Sequence, residues 1–195
     1  CYHKEFALFN QQLVFKVAVA FSALLVSVPA LPQHTLSVSD ARIFAGKQTV
    51  PFEEMLDKLA RYDIVVVGEN HDHKLGHALE LAIISGLQRR QPKIALSLEF
   101  FERDVQPVLD EYIAGIISES HFTQSSRPWP TYKTDYAPMV EFCKANRVPV
   151  IAANAPRRYV NIVSRKGQKE LSKLNGESRR FLGPIPYSMD IPVGY

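Results

Sequence analysis

The chain has 195 residues, of which 46% are hydrophobic and 22% are charged, so it is long enough to bury a core without disulfide bonds. Its net charge is only +3 and no single element concentrates the basic residues, which argues against nucleic-acid binding. The two cysteines form no CxxC pair, which argues against a structural zinc site.

An apolar segment near the amino terminus is typical of a signal peptide or a membrane anchor. Residues 13–31 contain one charged side chain, Lys16, and the apolar core 17–28 has the length of a signal-peptide hydrophobic region. This core is short for a membrane span, which needs about 20 residues. We predict a signal or membrane-anchor segment over residues 1–31, with a buried domain helix as the alternative.

The remaining chain is predicted to contain a polar linker over residues 32–50 and one domain over residues 51–195. Three apolar, β-branched runs at 64–67, 94–98 and 149–153 predict neighbouring strands that are buried on both faces. Apolar side chains at helical spacing flank these runs. The helices are predicted from residue 51, over 75–87, 104–117 and 136–146, and from about 157 to 174, with a loop over 121–134.

Strands that alternate with helices predict an α/β fold, in which a parallel sheet carries helices on both faces in three layers. A sheet of three strands is small for this architecture. We therefore expect the C-terminal part of the domain to be missing from the sequence.

Polar side chains follow each apolar run, at the carboxyl edge of the predicted sheet where open α/β proteins bind ligands. The first run is followed by Gly-Glu-Asn-His, which contains Glu69 and His71, and the second ends at Glu99. The third is followed by Asn154 and Arg157. We predict that Glu69, His71 and Glu99 converge on one cleft with Arg157 nearby.

Carboxylate and imidazole side chains are competent metal ligands and acid/base groups, so Glu69, His71 and Glu99 are candidate functional residues. The alternative is that Asn70 or Asp72 caps the following helix and that the other polar groups are solvated. Because Glu99 closes an apolar strand, its charge is expected to require a partner, such as His71, Arg157 or a metal ion.

Two further histidines, His73 and His77, are four residues apart and would share one face of a helix. This spacing is a weak metal signal, because the glutamate of the HExxH zinc motif is absent. A ligand role for His77 is therefore the less favoured interpretation.

An aromatic segment around Trp129 has two interpretations. It either pins a loop to the domain or supplies a flat apolar wall for a macrocycle. Tyrosine can also ligate haem iron, and the sequence does not choose among Tyr112, Tyr132 and Tyr136.

The chain resembles the ChaN-like family of haem-binding uptake proteins, which belongs to the Tiki and erythromycin-esterase superfamily. Three stretches in the family's order carry this resemblance and cover about half of the chain: VVVGENHDH at 65–73, LSLEFFERDVQPVLDEYIAG at 96–115, and RPWPTYKTDYAPMVEFCKANRVPVIAANAPR at 127–157.

The resemblance implies an α/β fold and haem binding in iron acquisition, often by a dimer that encloses the cofactor. In related superfamily members the Gly-Glu-x-His motif serves a hydrolase or metal-dependent protease, which by motif points to Gly68, Glu69, His71 and Glu99. The haem-binding residues are predicted to be Glu69, His71, Glu99, Tyr132, Asn154 and Arg157. The predicted ligands of a divalent metal are His71, Glu69 and Glu99.

The leading hypothesis is a haem-binding protein rather than an enzyme, and no catalytic residue is assigned. It is expected to be membrane-associated or exported, in a bacterial envelope or at a plastid thylakoid, with the N-terminal segment on the membrane and a homodimer as its assembly. One alternative is a metal-dependent hydrolase that activates water at the Gly-Glu-x-His motif. Another is a non-catalytic, membrane-tethered scaffold.

Overall fold

The structure, a computed structural model, describes residues 5–6, 15–18 and 38–183. These residues belong to two compact units. Unit 1 contains the described residues up to Ile94 together with Thr131–Asn146, and unit 2 contains Ala95–Pro130 and residues 147–183.

The described residues form short strands and helices. The strands are β1 (Glu5–Phe6), β2 (Phe15–Ala18), β3 (Arg42–Ala45), β4 (Gln48–Thr49), β5 (Leu96–Glu102) and β6 (Val150–Asn154). The α-helices are α1 (Phe52–Leu59), α2 (Lys74–Arg90), α3 (Gln106–Ile113), α4 (Glu119–Ser126), α5 (Ala137–Asn146), α6 (Arg157–Lys166) and α7 (Gly176–Arg179). A π-helical turn, Tyr132–Tyr136, leads directly into α5.

A β-hairpin occupies part of the stretch 32–50, where the sequence predicted a linker. Strands β3 and β4 pair antiparallel across a tight turn, and Gly46 adopts the positive φ of 61° that this turn requires. Ile43 of β3 is buried in the core with Met55 and Leu56 of α1. Ile43 is buried between the exposed Arg42 and the partly buried Phe44, so β3 is a half-buried strand, although the stretch 32–50 is polar on average.

The predicted signal or anchor segment, residues 1–31, contributes two short strands to the same sheet. Residues Phe15–Ala18 form β2, which pairs antiparallel with Arg42–Ala45 and with β1. The rest of 13–31 lies outside the described residues. Among the residues that are described, none of the helices combines the length and the apolar character needed to cross a bilayer.

Helices α1 and α2 pack against each other to form the core of unit 1. Helix α1 buries Met55, Leu56 and Leu59, which cluster with Ile83 of α2. Gly86 of α2 faces Leu56, so the absence of a side chain at Gly86 permits the close approach. This core supports the loop that leads into α2.

The run 64–67 is not a strand, and this part of the fold prediction is wrong. Val65 and Val67 pack on the α1–α2 core, whereas Ile64 and Val66 are exposed. The burial therefore alternates, as in an extended segment with one buried face. Within the described part of the chain this segment joins no hydrogen-bonded ladder, and a ladder rather than β-branched composition defines a strand.

The other two predicted strands are confirmed as a parallel pair in unit 2. Strand β5 pairs with β6 in register from Leu96 opposite Val150 to Leu98 opposite Ala152, and an irregularity follows before Glu102. The side-chain amide of Gln106 bonds to the backbone of β6, donating to the Val150 carbonyl at 2.8 Å and accepting from the Ala152 amide at 2.7 Å. The parallel strands with their helices confirm the α/β class.

Aromatic packing holds the helices of unit 2 together. The rings of Tyr112 in α3 and Phe122 in α4 stack with centroids 4.4 Å apart, and Phe101 of β5 meets Phe122 at 5.6 Å. Helix α4 and the π-helical turn occupy much of 121–134, where a loop was predicted. Helix α6 ends at Lys166, earlier than predicted, because Gly167 follows at a positive φ of 83°.

Candidate functional site

The Gly-Glu-Asn-His segment leads into α2, and His73 forms the cap of that helix. Nδ1 of His73 accepts a hydrogen bond from the backbone amide of Gly76 at 2.9 Å. This replaces the cap that was predicted at Asn70 or Asp72. The capping bond fixes the direction in which the preceding loop enters the helix.

Glu69 and His71, both predicted site residues, contact each other. Nδ1 of His71 lies 2.6 Å from Oε1 of Glu69, and the side chain of His71 is 54% exposed while that of Glu69 is 23% exposed. The buried phenol of Tyr136 donates a second hydrogen bond to the same Oε1. Glu69 therefore connects an exposed imidazole to the interior of unit 1.

His77 of α2 lies behind this pair and is only 5% exposed. Its Nε2 is 3.0 Å from the backbone carbonyl oxygen of His71, and its Nδ1 is 3.0 Å from Oε2 of Glu80. A carbonyl oxygen can only accept, so Nε2 carries the proton of that bond. The ring of Tyr136 packs against the imidazole of His77 with centroids 4.9 Å apart.

The shared environment shifts the pKa values of these groups. Burial alone would lower the pKa of His77, but the bonds to the His71 carbonyl and the Glu80 carboxylate outweigh it, so this pKa is raised. Burial and the nearby charge of Glu69 raise the pKa of Glu80. Burial and the bond to Glu69 raise the pKa of Tyr136 far above its usual range. The cluster thus disfavours additional negative charge.

The carboxylates of Glu69 and Glu80 and the imidazole of His77 each offer a ligand atom, and these atoms lie within 4.8 Å of one another. Of the predicted metal ligands, Glu69 belongs to this group and His71 contacts Glu69 from outside it. The described cluster thus differs from the predicted set of Glu69, His71 and Glu99, because a helix turn rather than a neighbouring strand supplies its other members.

Glu99 is not the terminal, buried charge that the sequence predicted. Strand β5 continues to Glu102, and Glu99 is exposed in mid-strand between the buried Leu98 and Phe100. An exposed carboxylate is solvated, so it needs no compensating partner. The predicted meeting of Glu99 with residues of unit 1 stays a prediction.

The remaining predicted residues occupy different surroundings. Asn154 ends β6 and is partly buried, and Arg157 is exposed in the first turn of α6. Tyr132 is buried at the start of the π-helical turn. Trp129 packs edge-to-face on Phe100 with centroids 5.0 Å apart, which agrees with the interpretation that it pins a loop.

Two members of the cluster were not predicted as functional residues. Glu80 was not singled out, and Tyr136 was named only as one of three candidate haem ligands. The available signal was the separation of His77 and Glu80 by three residues, which places them on one helix face. Tyr136 lies 67 positions from Glu69 and meets it through tertiary folding alone.

The fold and the cluster define an α/β protein with a compact group of glutamate, histidine and tyrosine side chains beside a helix start. Residues 55–192 match the family described as haem-binding uptake, Tiki superfamily, ChaN, and the chain belongs to this family. The match covers most of the chain and confirms the resemblance carried by the three sequence stretches.

Two known proteins are similar to the chain. The protein RETICULATA-RELATED 5, chloroplastic, of Arabidopsis thaliana is 28% identical over 173 residues, which are 83% of this chain and 23% of that protein. A solved structure of ChaN of Campylobacter jejuni, described as showing cofacial haem binding, matches with a TM-score of 0.53 at 20% identity over 69% of this chain and 64% of that one. This structural match shows the fold. The chain thus spans less than a quarter of the plant relative and less than two thirds of the bacterial one.

Proposed function

We propose that this chain binds haem and that His71 supplies an axial ligand to the iron. The observation that carries the proposal is the contact of 2.6 Å between Nδ1 of His71 and the Glu69 carboxylate, together with the 54% exposure of the His71 side chain. A carboxylate on one ring nitrogen orients the imidazole, and Nε2 is then the coordinating atom. Haem iron accepts histidine as an axial ligand.

Membership of the haem-binding uptake family supports this choice of cofactor. When bound, haem would supply an iron centre whose properties depend on its axial ligand. Glu69 would hold the imidazole, and Tyr136 would hold Glu69 through the bond to Oε1. The candidate tyrosine ligands Tyr112, Tyr132 and Tyr136 are all buried, which favours His71 over each of them.

A haemin titration followed by the Soret band tests the proposal. We expect His71→Ala to weaken haemin binding by at least about tenfold and to change the spectrum, because an axial ligand is lost. Glu69→Gln should weaken binding less, since the amide can still contact Nδ1. His121→Ala is the matched control, because His121 is an exposed histidine of α4 in unit 2.

The outcome that contradicts the proposal is an unchanged dissociation constant and an unchanged spectrum for His71→Ala. Circular dichroism of each variant must first show the native helix content. If His121→Ala weakens binding as much as His71→Ala, haemin binds exposed histidines without a defined site.

The proposal extends to assembly. The bacterial relative is described with cofacial haem, an arrangement in which two macrocycles face each other. We infer that a second copy of this chain closes the haem site and that the homodimer forms with haem. Light scattering after size-exclusion chromatography, with and without haemin, should show the mass doubling only when haemin is present.

The proposal also includes a location at a bacterial envelope or plastid membrane, supported by the apolar core 17–28 and by the chloroplastic relative. Because Phe15–Ala18 pair with β3, membrane attachment and sheet formation compete for these residues. A reporter fused to residues 1–31 should be targeted to the membrane, whereas a fusion that begins at residue 38 should not.

A further inference from the structure

We propose that Glu69, His77 and Glu80 form a binding site for one divalent first-row transition-metal ion. All three residues belong to unit 1, and their ligand atoms lie within 4.8 Å of one another. This site differs from the iron of haem, and it does not depend on the haem proposal. The two sites share Glu69, which is a ligand here and contacts the proposed haem ligand His71.

The hydrogen bonds of His77 leave one nitrogen directed at a carboxylate. Nε2 donates to the His71 carbonyl at 3.0 Å, so in the neutral ring Nδ1 carries a lone pair. That lone pair faces Oε2 of Glu80 at 3.0 Å. Two acceptors at this distance repel each other unless a proton or a cation lies between them. The arrangement therefore requires one positive species at this point.

Burial makes the requirement stronger. His77 is 5% exposed and Glu80 is 13% exposed, so water does little to screen the carboxylate. The Glu69 carboxylate adds a second negative charge within 4.8 Å of this pair. A divalent cation would neutralise both carboxylates and engage the Nδ1 lone pair at once, whereas a single proton satisfies one contact.

One pair of ligand atoms already has a separation found around metal ions. Ligand atoms about 2.1 Å from a metal lie about 3.0 Å apart at right angles and about 3.4 Å apart at tetrahedral angles. The contact of 3.0 Å between Nδ1 of His77 and Oε2 of Glu80 is close to both lengths, and the third atom, within 4.8 Å, reaches a shared ion by a small side-chain movement. An imidazole ligand favours zinc and similar transition ions over magnesium and calcium, which prefer oxygen ligands.

Surrounding groups hold two of the three ligands in place. The His71 carbonyl fixes the ring nitrogen of His77 that carries hydrogen, as a backbone carbonyl commonly does behind a metal-bound histidine. The phenol of Tyr136 donates to Glu69 and packs on the His77 ring. His77 and Glu69 are therefore oriented before an ion arrives.

Calorimetric titration of the EDTA-treated full chain with Zn²⁺ tests the proposal. We expect one Zn²⁺ per chain, a higher thermal unfolding midpoint in its presence and no uptake of Mg²⁺. Glu80→Gln is the informative variant, because it keeps the shape and its amide can donate to Nδ1 of His77. We expect it to raise the unfolding midpoint without metal and to weaken Zn²⁺ binding by at least about tenfold.

Two control variants, His121→Ala and Glu170→Gln, change surface residues of unit 2, the first exposed and the second partly exposed, and should bind Zn²⁺ like the native chain. The proposal is overturned if the native chain takes up no stoichiometric Zn²⁺, or if Glu80→Gln binds it equally well. A Glu80→Gln variant that is stabilised while the native chain ignores Zn²⁺ also overturns it and assigns a proton to the cluster. Haemin binding by Glu80→Gln should remain unchanged, which separates this test from that of the haem site.

Discussion

The phenol of Tyr136 donates a hydrogen bond to the carboxylate of Glu69 across 67 positions of sequence. Tyr136 is almost fully buried, and the same oxygen of Glu69 contacts Nδ1 of His71. The π-helical turn thus determines where the carboxylate lies, and through it the position of the exposed imidazole. Single π-helical turns are frequent at functional sites.

Tyr136→Phe should lower the free energy of unfolding by about 1.5–3 kcal/mol, because a hydrogen bond to a partly buried charged group is lost. Urea denaturation in the presence of EDTA measures this value without a contribution from bound metal. Tyr62→Phe, in the bend after α1 and outside the cluster, should change stability much less. A Tyr136→Phe variant as stable as the native chain would contradict the role of this bond.

Gly86→Ala should destabilise unit 1. A Cβ at this position would overlap Cδ1 of Leu56, and overpacking of this kind costs about 1–3 kcal/mol. The cost exceeds the gain of up to about 1 kcal/mol in helix propensity. Thermal and urea denaturation measure the change.

Gly76→Ala in the same helix is the matched control. A Cβ there would lie 3.4 Å from Nδ1 of His73, an ordinary contact. The helix propensity of alanine should therefore dominate and leave stability equal or higher. The packing argument is wrong if both variants change stability in the same direction.

The sequence predicts the α/β class, two of the strands and the family, because these depend on local apolar patterns and on motifs. It does not predict that the run 64–67 stays outside a sheet. A β-branched composition is compatible both with a hydrogen-bonded strand and with an extended segment that packs on helices. It also mistakes Glu99 for a strand end, because nothing in the local pattern shows that the strand continues to Glu102.

The sequence predicts only the part of the candidate site that depends on a local motif. Glu69 and His71 are neighbours in the sequence, and their contact follows from a motif. The other half of the cluster depends on the burial of His77, the partial burial of Glu80 and the approach of Tyr136, which only the tertiary packing decides. A histidine and a glutamate three residues apart on a helix are common on solvated surfaces, so their spacing alone does not identify a site.

Cys143 should resist alkylation in the folded chain. Its thiol is fully buried, and burial raises its pKa to about 11. At about pH 8 only about one thiol in a thousand would be ionised, against roughly a quarter for an ordinary cysteine. The pKa of this thiol is higher in the folded chain than in the unfolded chain. The contribution of the neutral thiol to the free energy of unfolding is therefore complete below about pH 8.5 and is lost as pH rises through 11.

Mass spectrometry after iodoacetamide treatment measures this protection in a Cys1→Ser variant, so that only one thiol reacts. We expect modification at about pH 8 to be at least about 100-fold slower than in denaturant, since ionisation and access are both restricted. Equal rates in the two conditions would mean that α5 does not bury the thiol.

Asp104→Asn should destabilise unit 2, because Asp104 joins two arginines from distant parts of the sequence. Its carboxylate is 12% exposed and accepts from Arg127 at 2.7 Å and from Arg158. The substitution leaves two guanidinium groups beside a neutral amide, and their partial exposure limits the cost to about 1–2 kcal/mol. Urea denaturation should show a smaller difference at high salt, where the arginines are screened. Glu170→Gln is the control, because it removes an exposed ion pair with Lys173, and it should leave the free energy of unfolding unchanged within error. If both substitutions have the same effect, the bonds of Asp104 to the two arginines add nothing to stability beyond surface charge.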